Sequence, residues 1–197
     1  MMDTSRPNIG LMLYDQLPDE FEEEIKDLGT AEVSVATKRI SGGPYAGVEL
    51  YLPAAVGLFV ASSYFGGVLK KVGEEHYAAL KEVAKRLWKR SSVLKMKAIG
   101  SSGKVSTEPT YSLAFAITGE IKPGLTFKLV LKLDTDEVEA LEAIPEFLDL
   151  VRAILEDRVC ETDLDALLAY RPVGGTVLVT FEPGTKRIVP INAMELS

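Results

Sequence analysis

The chain is poor in the residues that carry most site chemistry, with one histidine (His76), one cysteine (Cys160) and one tryptophan among 197 residues. A lone cysteine closes no internal disulfide, which argues against a stapled, secreted scaffold. One histidine and one cysteine also fall short of the nitrogen and sulfur ligand set of a zinc site. The Gly-x-Ser-x-Gly elbow, the His-Glu-x-x-His helix and the kinase signatures are missing too. No cofactor or metal is therefore expected, and enzymatic activity has no positive support in the sequence. The opening Met-Met-Asp-Thr-Ser-Arg-Pro lacks the basic start and apolar run of a signal peptide, so the expected location is cytoplasmic.

Charge is absent from Leu50 to Leu69, a run about as long as the roughly 20 apolar residues of a membrane-spanning helix. It reads as one long uncharged helix near residues 50–69. Three roles compete for it: a central core helix apolar on all sides, an interface covered by a partner, or a segment that inserts into a membrane on a trigger. Pro53, Ser62, Ser63 and three glycines lower its hydrophobicity, so a permanent span is not expected. The candidate interaction residues are Val56, Phe59, Val60, Tyr64 and Phe65 on this run, with Lys70, Lys71, Lys85 and Arg86 on the basic flank that follows.

What the chain does contain is ordinary for a globular protein: 47% hydrophobic and 26% charged residues, at a length suited to one α+β domain over 1–197. A net charge of −7 disfavours nucleic acid as a partner, since phosphate contacts need a cationic surface. The charge is uneven, with basic residues concentrated between Lys70 and Lys104 and acids at Asp15–Asp27 and Asp134–Asp165.

Ile9–Tyr14 reads as a strand, and Phe21, Ile25 and Leu28 recur at helical spacing after Pro18 and before Gly29. Val33, Val35 and Thr37 alternate as a half-buried strand. Tyr77, Leu80, Val83, Ala84 and Leu87 form the apolar stripe of a surface helix over Glu74–Arg90. Val93–Ile99, Tyr111–Thr118 and Phe127–Leu133 read as strands, the last two joined across Pro123-Gly124. Pro145 is expected to end one helix and open a second, and Thr162 with Asp165 to cap a third. Glu182-Pro183-Gly184-Thr185 marks a turn between two final strands. Strands that come in hairpins favour a largely antiparallel or mixed sheet with helices packed on one face.

Each chemical candidate has a plainer reading beside it. His76 reads as a solvated or packing residue and Cys160 as a small buried hydrophobe. Asp134-Thr135-Asp136-Glu137 would suit a hard cation, but acids at a helix start also cap free amides. Glu22-Glu23-Glu24 reads as a solvated helix face. Gly100-Ser101-Ser102-Gly103-Lys104 fails as a phosphate loop, because Ala98 and Val105 stand where that motif needs glycine and a hydroxyl residue. Ser41–Gly47 is a better-placed glycine-rich loop. The expected function is a non-enzymatic interaction or regulatory protein docking to itself or another intracellular protein. The alternatives are a conditional membrane effector and an enzyme or small-ligand binder using the 41–47 loop.

Overall fold

Ile9, Leu11 and Leu13 alternate with Gly10, Met12 and Tyr14 along β1 (Ile9–Tyr14), and only the first set is buried against helices. The same period of two recurs in every long strand, because successive side chains of extended backbone point to opposite faces. The computed structural model describes residues 6–41, 53–94, 110–170 and 172–192. After β1 come α1 (Glu20–Lys26), β2 (Val35–Ile40), β3 (Val56–Val60), a π-helical turn (Tyr64–Val68) and α2 (Leu69–Ser91). Then follow β4 (Tyr111–Lys122), β5 (Leu125–Lys132), α3 (Glu137–Leu155), α4 (Glu161–Leu167), β6 (Thr176–Glu182) and β7 (Arg187–Pro190).

The strands form one mixed α+β sheet in the order β2-β1-β3-β4-β5-β6-β7. Parallel pairs β1/β2, β3/β4 and β5/β6 alternate with antiparallel pairs β1/β3, β4/β5 and β6/β7. Each parallel pair is joined through helices, and all four helices share one apolar cluster on one face of the sheet. That placement has a topological consequence. β1 and β3 run in opposite directions and step in opposite directions across the sheet, so their crossovers have the same hand. β5 runs like β1 but steps like β3, so its crossover through α3 and α4 has the other hand. Crossovers of this type are right-handed in roughly 98% of cases, which makes the combination unusual.

The uncharged run is not one helix. Its described part is the central strand β3, hydrogen-bonded between β1 and β4, followed after Ala61 by a helical stretch that enters the π-helical turn. A strand hydrogen-bonded on both edges, with Val56, Leu58 and Val60 buried and Gly57 and Phe59 on the other face, contains no polar residue, so it reads as an unbroken apolar run. The helix breaks again at Gly73, whose φ of 83° favours glycine. Lys70 and Lys71 precede the break and Glu74 and Glu75 follow it, each with the sign that suits its helix end. Beyond it, Tyr77, Leu80, Val83, Ala84 and Leu87 are buried as their spacing requires.

Pro145 does not divide α3, which runs unbroken through it. Its ring removes one bond to the carbonyl of Leu141, a residue on the exposed side where water can take that carbonyl. Ala140, Ala143, Ile144, Phe147, Leu148 and Val151 are buried on both sides of it, and this packing holds the helix together. Gly119 in β4 faces the same helix, and a Cβ there would lie 2.7 Å from Val151 Cγ2. Pro123 and Gly124 make the β4–β5 turn, with Gly124 at φ 82° in the position that favours glycine. The turn at Glu182–Thr185 lies where its residues indicate, between β6 and β7.

Candidate functional site

The face of the sheet that carries none of the described helices is built from the other half of each alternation. Gly57 of β3 stands beside Met12 of β1 and Ala116 of β4, and Phe59 stands beside Gly10 and Thr118. Gly57 and Ala116, both small and adjacent near the middle of the sheet, leave a hollow, whereas the space above Gly10 is taken by Phe59, whose Cβ lies 3.6 Å from where a Gly10 Cβ would stand. The open cavity over Gly57 measures about 280 Å³ and is bordered by Met12, Phe59 and Ala116. Its rim is fixed by the Tyr14 hydroxyl, which donates to the Pro53 carbonyl at 3.0 Å, and by backbone bonds from Tyr14 N to Ala55 O and from Ala55 N to Leu113 O.

Polar groups reach this hollow from three strands. Lys128 of β5 lies opposite Thr118 of β4 in the ladder, and Thr176 of β6 shares a 3.2 Å hydroxyl contact with Thr126. Only 7% of Lys128 is exposed. Removal from water pushes its ammonium down to about 8, because the charged form loses hydration on burial. Further along the face, the buried Thr180 Oγ1 has no hydrogen-bond partner. In the sequence Lys128 resembles Lys132, the next lysine on the same face of β5, yet Lys132 is exposed and Lys128 is not. Alternation assigns a face without saying how deeply that face is covered.

At the end of the same face, Glu120 accepts from Ser62 N at 3.2 Å, from Ser62 Oγ at 2.9 Å and from Arg6 Nη1 at 2.8 Å. A carboxylate at the start of the helical stretch satisfies an amide with no partner inside the helix. No local spacing links residues 6, 62 and 120, so this cluster was invisible in the sequence.

Comparison with family models, with curated proteins and with solved structures finds no match. The chemistry of this chain has to be read from its own residues.

Among the nine candidate interaction residues, Val56, Val60, Tyr64 and Phe65 are buried in the helix-side core. Phe59 instead borders the cavity. Lys70 and Lys71 are exposed; Lys85 pairs with Glu82 at 2.7 Å and Arg86 with Glu24 at 2.6 Å. The structure therefore does not bring the nine together on one surface. No described helix is long and apolar enough to cross a membrane. Drawing β3 out to insert it would break ladders on both of its sides.

His76 is hydrogen-bonded through both ring nitrogens. Its Nε2 donates to the Leu28 carbonyl at 2.9 Å, and its Nδ1 lies 2.9 Å from the Tyr64 hydroxyl. Burial raises the Tyr64 and Tyr77 hydroxyls well above the ordinary tyrosine range, and neither ionises near neutral pH. Tyr77 donates to Asp149, which also takes Lys81 at 2.7 Å, while Arg152 grips Glu74 at 2.7 and 2.9 Å. This polar seam ties α2 to α3.

Cys160 is a correction: it is exposed, not a buried hydrophobe, and sits at the N-cap of α4 with Sγ 3.2 Å from Thr162 Oγ1. The cap pair expected from Thr162 and Asp165 does not form, since both lie inside α4. Asp136 does cap α3, accepting from Glu139 N at 2.9 Å. Among the described residues no group of histidine, cysteine or carboxylate side chains is placed to hold a metal. Residues 42–47 of the first glycine-rich loop, the 100–104 turn and the 95–99 part of the expected strand lie outside the described residues.

Proposed function

We propose that the protein binds a compact, largely apolar molecule with an oxygen-bearing head group in the hollow on the sheet face opposite the described helices. The observation that carries this reading is the placement of Lys128, a buried amine bordering a cavity of about 280 Å³ whose other borders are mainly apolar. Ligand sites commonly combine an apolar lining with a few polar groups that orient the ligand, and this hollow has that composition at the small end of the usual size range. An ammonium or amine at the wall suits a carboxylate or carbonyl oxygen, and the Thr118 and Thr176 hydroxyls add donors beside it.

The test is titration of the protein with hexanoate and with 1-hexanol, followed by protein-observed NMR at the Gly57 and Ala116 amides. Both probes are expected to shift these amides saturably. Hexanoate should bind more tightly below about pH 8, where Lys128 is charged, and lose that advantage as the pH rises through 8. Shifts scattered over the surface, or none, would overturn the reading.

A second reading keeps docking, to another copy of this chain. It is favoured by four exposed apolar residues at one end of the molecule: Val93 after α2, and Leu133, Val138 and Leu141 around the start of α3. The Lys89–Glu137 ion pair at 2.7 Å holds those two helix ends together. Contiguous exposed apolar surface favours association. Light scattering should then give a dimer mass that falls to the monomer in Val138→Glu/Leu141→Glu; a wild-type monomer at all concentrations sinks this reading.

A further inference from the structure

We infer that Lys128 is a covalent site: its amine condenses reversibly with small apolar aldehydes or ketones that enter the hollow, with the Thr118 hydroxyl relaying the proton. This rests on the binding reading above and names the ligand chemistry of the same cavity.

A lysine becomes a carbonyl nucleophile when an apolar pocket makes its neutral form accessible. Lys128 meets the geometric requirement, since it borders a cavity large enough for a small carbonyl compound and walled by Met12, Phe59 and Ala116. Thr118 is its direct cross-strand partner, and paired residues on one face of an antiparallel ladder have Cβ atoms about 5 Å apart. The lowered ammonium supports the same assignment. With a value of about 8, roughly a tenth of Lys128 is neutral at pH 7, against well under a thousandth of an ordinary lysine.

The step balances without an oxidant or reductant. The Nζ lone pair forms a bond to the carbonyl carbon while the C=O π pair moves to oxygen, which takes a proton. The resulting carbinolamine loses that oxygen as water and the remaining nitrogen proton, leaving a C=N bond. Water reverses it. Met12, Phe59 and Ala116 favour apolar carbonyl compounds over polar ones at this open site.

The experiment treats the full chain with hexanal and sodium cyanoborohydride at pH 7, with and without excess 1-hexanol, and maps hexylated lysines by peptide mass spectrometry. Occupancy of the hollow by 1-hexanol is followed independently at the Gly57 and Ala116 amides. The expected result is that Lys128 is hexylated about ten-fold faster than the exposed Lys70, Lys71 and Lys132, and that 1-hexanol protects Lys128 alone. If 1-hexanol occupies the hollow but Lys128 is labelled no faster than the exposed lysines, the imine is overturned and the binding reading stands. If 1-hexanol leaves both amides unmoved, both fall.

Discussion

The two faces of the sheet use the same strands for opposite ends. On the helix side, Ile9, Leu11, Leu58, Ile117, Phe127 and Val179 meet Phe147, Leu87 and Tyr64, with large side chains interlocked and almost no exposure. On the other side the same strands present Gly10, Gly57, Ala116, Thr118, Lys128 and Thr180 together with Met12, Phe59, Val130 and Leu178, so small, hydroxylated and cationic residues stand among large apolar ones. A face built for stability fills its volume, because interiors pack like crystals and each missing methylene costs free energy. A face that, among the described residues, leaves a hollow over Gly57 and Ala116 and buries a lysine forgoes part of that stabilisation, and such departures mark candidate functional sites.

The sharpest way to break the comparison is to put a charge on the packed face. Val60 is fully buried at the end of β3. Val60→Asp would bury a carboxylate or force its protonation, costing several kcal/mol out of a typical total of about 5–15. The expected outcome is an insoluble or molten protein by near-UV circular dichroism. A folded variant of normal melting temperature would mean that β3 is not the centre of the core.

The cost on the face opposite the described helices is electrostatic and depends on pH. Lys128 is lowered from 10.5 to about 8 in the folded chain, so between those values the unfolded chain binds more protons and stability rises with pH. Below 8 the burden of burying the charge is complete, about 3 kcal/mol by the linkage relation. The stability of the native chain relative to Lys128→Met should therefore rise between about pH 8 and 10. Tyr64 and Tyr77, whose hydroxyls are raised, work in the opposite direction near and above pH 10, but they are common to both proteins and cancel in the difference. Urea denaturation of the pair at pH 7, 8, 9 and 10 checks this; a gap independent of pH would show that Lys128 is not desolvated.

Much of the packed face was legible because it obeys local rules. The alternation in β1, the stripe from Tyr77 to Leu87, the acidic cap at Asp136 and the turn at Glu182–Thr185 follow from spacing alone, and they were enough to place helices on one face of a mixed sheet. The run from Leu50 to Leu69 misled because an interior strand and the helical stretch after it are joined only by Ala61, so nothing charged marks the border between them. Pro145 misled because packing on both sides outweighs one lost hydrogen bond. The hollow was not legible at all. Gly57, Ala116 and Lys128 come from separate strands, and only the register of β3, β4 and β5 makes them neighbours.

A closer contrast comes from adding one methyl group to a glycine on each face. At Gly119, on the packed face, the new Cβ would stand 2.7 and 2.9 Å from the two Val151 methyls and 3.3 Å from Val151 Cβ. The branch point of a β-branched side chain in the middle of α3 cannot swing aside, so either the helix or the strand must shift. Overpacking of this kind costs about 1–3 kcal/mol. Gly119→Ala should lower the urea midpoint accordingly, while Val151→Ala combined with it should recover part of the loss. Full additivity of the two changes would show that the residues do not press on one another.

The smallest effect on stability belongs to Gly57, on the other face. A Cβ there would meet Met12 Cβ at 3.6 Å and Met12 O at 3.9 Å, which is ordinary van der Waals contact. Alanine also spares the strand the backbone entropy that glycine loses on folding, a gain of about 0.5–1 kcal/mol. Gly57→Ala is therefore expected to be neutral or slightly stabilising, opposite in sign to Gly119→Ala although both add one methyl to the centre of the same sheet. The methyl projects into the hollow, so 1-hexanol and hexanoate should bind more weakly to this variant while its melting temperature holds or rises. That pairing of gained stability with lost binding is what a site left empty for a ligand predicts. A Gly57→Ala protein that binds both probes as well as the wild type would place the ligand elsewhere, and one that is destabilised like Gly119→Ala would show the second face to be packed as tightly as the first.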